Sequence, residues 1–301
     1  GGGGGKGGSG GGGSGGGGTD EELVASMVEE LLPQLPPDFD IEKAQHKYPV
    51  KYEQSLNQVF CQELVRYNRL LEIIRGSLVS LSKALAGLQV MSTELDTVFR
   101  AMLVGTVPAL WLGKSFPSLK PLTGYIKDLL SRLDMLQSWY DNGPPTVFWI
   151  SGFFFTPSFT TACLQNYARQ HRMPIDTVGF DFVAMGVDRT KYREAPPDGV
   201  YIYGLFLEGA AWDAANRHLR ESRPKVLFDP APVIWLQPRP LEAMDKSPCY
   251  ECPVYRTAER KGVLATTGHS TNFLMMIRLP SKLPQWHWVL RGVAMLTSLS
   301  D

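Results

Sequence analysis

At "DNGPP", Asp141 to Pro145, the spacing of apolar residues changes from threes and fours to short runs broken by Gly and Pro. A chain patterned this way must build helices first and strands afterwards, because each period matches only one backbone form. Upstream, Leu56, Phe60, Leu64, Tyr67, Leu71, Ile74, Leu78, Leu81, Leu85 and Leu88 lay ten apolar residues on one helical stripe. Burying them contributes on the order of 15–30 kcal/mol gross, before conformational entropy is subtracted. Gly76 interrupts the stripe and costs about 1 kcal/mol against alanine, so packing has to hold the helix. The stripe is longer than the neighbouring helices, which predicts that part of it needs a partner outside the molecule.

Those neighbours are legible too. "TDEELVASMVEELL" opens with a capping box, Thr19 with Glu22, and stops at Pro33. Short helices are predicted over Asp40 to Lys47 and Glu94 to Val104. The last begins near Pro121 and puts Leu122, Ile126, Leu129, Leu133, Leu136 and Tyr140 on one face. Downstream, Val147 to Phe155, Thr177 to Met185, Val200 to Leu207, Val233 to Leu236, Tyr250 to Tyr255, Asn272 to Leu279 and Trp286 to Leu296 read as strands. Only Pro157 to Gln170 reads as a helix among them. The expected fold is α+β: a helical bundle, then an antiparallel barrel or sandwich with no βαβ alternation.

Composition narrows the partners. The 301 residues begin with an eighteen-residue Gly/Ser tract, 1–18, that has no apolar side chain and is expected to be flexible coil. Thirty basic residues face thirty acidic ones, a balance that leaves no footprint for nucleic acid and no polybasic membrane patch. Four cysteines make no disulfide framework, so a reducing compartment is expected. "VFWISGFFF" spans nine residues, about half of a membrane span, and reads as a buried strand. A soluble, intracellular protein is expected.

Several stretches imitate active sites. "TTGHSTNF" offers Gly268, His269 and Ser270, but the second glycine of a nucleophile elbow is missing and a strand, not a helix, follows Asn272. A polar turn between strands is the simpler reading. "LGKSF" resembles a phosphate loop, but Pro108 stands where a glycine is required before Gly113 and Lys114. Cys249 and Cys252 form a lone C-x-x-C; no fourth ligand is evident, so no metal is expected. On that view Cys252→Ser should hardly change the melting temperature. Trp286 and Trp288 alternate around His287, which puts them on one sheet face as core or, less simply, as a ligand platform. "EGAAWD", Glu208 to Asp213, reads as a loop. No catalytic, cofactor-binding or metal-binding residue is assigned.

"VFWISGFFFTPSFTTACLQNYARQ", "PIDTVGFDF", "GVYIYGLFLEGAAWD", "CPVYRT", "GVLATTGHSTNF" and "HWVLRGVAMLTSL" together closely resemble the C-terminal region of dynein heavy chains. "YNRLLEIIRGSLVSLSKALAGLQVMS" and "PSLKPLTGYIKDLLSRLDMLQSWYDNG" resemble that region's first helices. The resemblance runs in order from about residue 20 to the end, and its form is similar to axonemal, inner-arm chains. It implies a non-catalytic domain: residues 19–50 as the end of the sixth ATPase module's helical lid, 51–143 as a helical subdomain, and 144–301 as an incomplete, mostly antiparallel β-barrel with one helix. It further implies packing on the ATPase ring of the same heavy chain, and modulation of microtubule motor activity in beating cilia and flagella. ATP and magnesium would bind only at upstream modules. Light and intermediate chains and axonemal doublet microtubules would be partners of the full-length protein, with no nucleic acid or membrane. The competing expectations are an independent small-ligand- or protein-binding barrel and, behind it, an enzyme using His269 and Ser270.

Overall fold

The computed structural model describes residues 18–260 and 272–301. Helix α1, Asp20–Leu31, starts at the capping box: Thr19 Oγ1 accepts the Glu22 amide while Glu22 accepts the Thr19 amide. A 3-10 turn at Leu32–Gln34 carries the backbone through Pro33. Helix α2, Ile41–Lys47, is capped by Asp40. Helix α3, Ser55–Leu85, runs 31 residues, or about 46 Å at 1.5 Å per residue. Helices α4, Thr93–Leu103, and α6, Leu122–Asn142, follow as expected. Between them lies α5, Ala109–Leu112, a single turn that the pattern did not announce.

The long stripe is covered from within. Leu56, Phe60, Leu64, Tyr67, Leu71, Ile74, Leu78 and Leu81 are all buried. Leu85 is only partly buried and Leu88, beyond the helix, is 80% exposed. The stripe is thus covered through Leu81, and only its Leu85–Leu88 end is left open. The covering elements are α1, α2, α4, α5 and α6, together with α7, Thr156–Gln170, from the sheet half. The sequence pattern could not foresee a helix from beyond Gly143 closing the bundle.

The sheet half holds β1 (Val147–Trp149), β2 (Val178–Ala184), β3 (Val200–Tyr203), β4 (Phe206–Glu208), β5 (Ala210–Asp213) and β6 (His218–Glu221), followed by β7 (Phe228–Pro230), β8 (Ile234–Pro240), β9 (Cys249–Tyr255), β10 (Phe273–Pro280) and β11 (Ala294–Leu296). They form a four-stranded sheet β1-β3-β8-β2, a five-stranded sheet β10-β9-β11-β4-β7 and the hairpin β5-β6. Six pairings are antiparallel and two, β1 with β3 and β11 with β9, are parallel. The arrangement is α+β with mostly antiparallel pairing, and among the described residues no sheet closes into a barrel.

Four expectations are corrected here. "VFWISGFFF" is not one strand: β1 ends at Trp149, and Ile150–Gly152 is a 3-10 turn. Val200 to Leu207 breaks at Gly204, φ +95°, so β3 and β4 join different sheets. "EGAAWD" contains β5, whose Ala210, Ala211 and Trp212 are buried. Trp286 to Leu296 is a helix, α8 (Gln285–Leu290), followed by β11, so the sheet half has two α-helices among the described residues. Period-two alternation over three residues, Trp286 to Trp288, cannot distinguish a strand from one helical turn.

Candidate functional site at the helix–sheet junction

Among the described residues, buried charge concentrates in one place, where α3 and α6 meet the segment after β1. Glu63 and Tyr67 stand one helical turn apart on α3 and are both fully buried. Phe154 and Phe155 lie in a bend outside any sheet, so their amides need an acceptor. Glu63 supplies it: its Oε2 accepts the Phe154 amide at 2.6 Å and its Oε1 the Phe155 amide at 3.0 Å. Tyr67 Oη donates to the Gly152 carbonyl at 2.7 Å.

Two arginines complete the junction. Arg132 of α6 is 3% exposed; its Nε donates to Asp128 at 3.1 Å and its Nη1 to Tyr67 Oη at 3.2 Å. Its guanidinium lies 3.6 Å from the Phe116 ring centroid, a cation–π contact that replaces part of the lost hydration. Arg256, just after β9, donates from Nη1 to the Phe154 carbonyl at 2.8 Å, while its Nε has no protein acceptor. The Arg256 carbonyl accepts from Thr297 Oγ1 at 3.2 Å, and the single Ser151 hydroxyl proton is shared between the Gly204 and Thr297 carbonyls. Helices, the β1–α7 connection and the segment after the last strand are thus tied through one polar cluster. Around it run aromatic contacts: Phe60 on Trp139 at 4.8 Å, Trp139 on Phe148 at 5.4 Å and Phe153 stacked on Phe159 at 4.3 Å.

The electrostatics explain why the groups come together. Burial pushes the Glu63 carboxyl above its ordinary value, and the Phe155 and Phe154 amides with Arg66 and Arg256 pull it partly back. Burial lowers Arg256 to about 10, with repulsion from Arg132 adding to it and Glu63 opposing it. Arg66 pairs with Glu63 at 3.5 Å and Arg132 with Asp128 at 3.1 Å, and Arg256 adds a third guanidinium. Burial is tolerable because the charges are paired and hydrogen-bonded. The space beside Arg132 and Arg256 is only about 10 Å³, far too small for a substrate. The cluster can hold parts together; it has no room to transform anything.

The residues the sequence offered for chemistry lie elsewhere. His269 and Ser270 fall outside the described residues. Their described flank, Asn272, is buried and accepts the Thr257 amide and hydroxyl, both at 2.9 Å. Lys114 follows the short α5, whose N-cap is Pro108. Trp288 is buried with its Nε1 donating to Ser281 Oγ at 2.8 Å, whereas Trp286 is 63% exposed. The two tryptophans do not share a face and form no platform. A groove of about 690 Å³ between α6 and β1 is lined by Asp134, Ser138, Trp149, Arg189 and Tyr203 among others, without a histidine or cysteine.

Cys249 and Cys252 are three apart on β9, with Cys249 opposite Pro280 and Cys252 opposite Ile277 in the ladder. Among the described residues no three His, Cys, Asp or Glu side chains gather as metal ligands, and none of the helices is long and apolar enough to cross a membrane. Cys252 is fully buried and burial pushes its thiol up. Cys252→Ser is therefore expected to cost about 1–3 kcal/mol, because a hydroxyl replaces a weakly polar thiol in apolar surroundings. A lowered denaturant midpoint with no zinc in elemental assay of the parent protein is the result to look for; this replaces the unchanged melting temperature expected from sequence.

Sequence reasoning did not single out Glu63 or Arg132, although a signal was present. Glu63 falls inside the apolar stripe between Phe60 and Tyr67, and Arg132 sits beside Leu129, Leu133 and Leu136. A charge on the core face of an amphipathic helix needs a buried partner.

Buried hydrogen bonds to backbone tie the helical bundle to the segment that leads from β1 into the sheet half. Comparison with known proteins gives the family: that of C-terminal domains of dynein heavy chains matches residues 4–297, and the protein belongs to it. It is 51% identical over 281 residues to dynein axonemal heavy chain 3 of Mus musculus, covering 93% of this sequence and 7% of that protein. It is 48% identical to dynein axonemal heavy chain 12 of Homo sapiens and 48% identical to dynein axonemal heavy chain 1 of Rattus norvegicus, covering 93% of this sequence in each case and 9% and 6% of those proteins. The 301 residues thus span less than a tenth of the length of these relatives, all of which are axonemal dynein heavy chains.

Proposed function

We propose that this protein is the non-catalytic C-terminal domain of an axonemal, inner-arm dynein heavy chain. In this reading it packs on the ATPase ring of its own heavy chain and modulates microtubule-driven movement in cilia and flagella. Residues 19–50 would be the end of the sixth module's helical lid, 51–143 the helical subdomain, and 144–301 an incomplete barrel. ATP and magnesium would act upstream, and light or intermediate chains and doublet microtubules would be met through the full-length protein.

The observation that carries the reading is the Glu63–Tyr67–Arg132–Arg256 junction. Buried hydrogen bonds from α3 to Gly152, Phe154 and Phe155 leave little freedom for the sheets to move against the helices. A stiff body that touches a ring in more than one place biases which ring conformations are populated, without contacting nucleotide. The junction also dictates the experiment. Cutting after Gly143 would strip Glu63 of the Phe154 and Phe155 amides and Tyr67 of the Gly152 carbonyl, so residues 51–301 should be removed together from a complete single-headed motor. ATP turnover is expected to persist while gliding velocity or run length changes. Unchanged motility with an intact ring would show that the domain is a passenger.

A further inference from the structure

Two serine or threonine residues precede proline in the sequence, Thr156–Pro157 and Ser247–Pro248, and the fold treats them oppositely. Thr156 opens α7 and is 2% exposed. Ser247 is exposed, with exposed Lys246 and Pro248 on either side, in the irregular stretch between β8 and β9. Pro248 has no amide hydrogen and disfavours helical backbone at residue 247, so the segment is kept non-helical. The Ser247 hydroxyl and amide both donate to Asp245 Oδ1, at 2.7 and 2.9 Å.

We propose that Ser247 is a phosphorylation site for a proline-directed serine/threonine kinase, and that Arg278 and Arg239 receive the phosphate. Ser247, Arg239 and Arg278 line one cavity of about 300 Å³. Arg278 donates from Nε to Cys249 Sγ at 3.2 Å and from Nη1 to the Asp245 carbonyl at 2.6 Å, and it is in no ion pair among the described residues. The carboxylates that act on its charge, Glu251 and Asp181, lie beyond ion-pair distance. Arg239 pairs with Asp181 at 3.3 Å, but 43% of its side chain remains exposed. A phosphoserine brings a charge of about −1.5 to −2 and three acceptor oxygens, and guanidinium forks are well matched to it. Two carboxylates that line the same cavity oppose it: Asp181, and Asp245, whose bond to the Ser247 hydroxyl is lost on modification.

The position gives the modification a mechanical consequence. The loop joins β8 of the four-stranded sheet to β9 of the five-stranded sheet. Asp245 is held from both sides, its amide donating to Asp181 of β2 at 3.0 Å and its carbonyl accepting from Arg278 of β10. A phosphate drawing on Arg239 and Arg278 therefore acts at the seam between the sheets. In the transfer step the Ser247 oxygen bonds to the γ-phosphorus of ATP. The bond from that phosphorus to the β,γ-bridging oxygen breaks, ADP leaves, and the hydroxyl proton passes to the kinase's carboxylate base.

The test treats the folded 301-residue protein with a proline-directed kinase and magnesium-ATP, then reads sites by mass spectrometry. One phosphate is expected, on Ser247, with Thr156 unmodified and no incorporation in Ser247→Ala. In phosphorus NMR the second ionisation should fall below the usual value of about 6, and Arg278→Gln should raise it by roughly 0.5–1 unit. Arg239→Gln provides the same readout if Arg278→Gln folds poorly by circular dichroism. Failure to label Ser247 in the folded protein would overturn the site. Labelling with an ordinary ionisation, unmoved in either arginine variant, would overturn the capture by arginine.

Discussion

Glu63→Ala is expected to destabilise the protein by about 3–5 kcal/mol, the largest loss among single substitutions at the junction. The carboxylate accepts two amides, Phe154 at 2.6 Å and Phe155 at 3.0 Å, from a site with no exposure. Alanine leaves both amides without an acceptor and leaves Arg256 without the opposite charge that supports it. Unmade buried hydrogen bonds cost more than made ones contribute, so the effect exceeds that of any surface pair. In a protein of this size the melting temperature should drop on the order of 10 °C. Glu63→Gln should fall between the two, because a glutamine oxygen can accept one amide while its own N–H groups oppose the other. Arg100→Ala is the comparison. It breaks an exposed pair with Asp96, and such pairs contribute about 0–1 kcal/mol. If denaturant melts show Glu63→Ala and Arg100→Ala shifting by similar amounts, the junction is not what holds the halves together.

Gly199→Ala is expected to be nearly as damaging, by about 3 kcal/mol or more, for a different reason. Gly199 has φ +70°, and a β-carbon there would lie 1.9 Å from the Leu236 carbonyl oxygen and 2.6 Å from Pro238 Cδ. The obstacle is backbone of the neighbouring strand, at the residue before Val200 pairs with Leu236. It cannot rotate away as a side chain would, so β3 or β8 must shift. Gly87 is the control. Its φ is +74°, but nothing lies within 4 Å of the added carbon, so Gly87→Ala should cost only the backbone preference, about 1 kcal/mol. Equal destabilisation by the two variants in equilibrium unfolding would mean that strand contact at Gly199 is not the cause.

Local patterns fared best where the interactions themselves are local. The caps of α1 at Thr19, α2 at Asp40 and α4 at Ser92 are side chains within three residues of the backbone groups they satisfy. Strands β2, β9 and β10 were legible within about one residue because each carries seven or eight residues of β-favouring sequence between breakers. Short elements were not: three residues of β1, four of β5 and six of α8 hold too few positions for one period to exclude another.

Residues alone determined that this protein is helices followed by strands, and the stretches quoted above made it legible as dynein-like. The pairing of β1 with β3, the break at Gly204 and the absence of a closed barrel among the described residues were decided by tertiary contact. So was the covering of the α3 stripe by α7. The junction shows the reason most directly. The positions of Glu63 and Arg132 on core-facing stripes are sequence facts. That Glu63 meets amides 91 and 92 residues away, and Arg132 a hydroxyl 65 residues away, is set only once the helices and strands are packed. A buried charge demands a partner, but its identity depends on distances that no local pattern encodes.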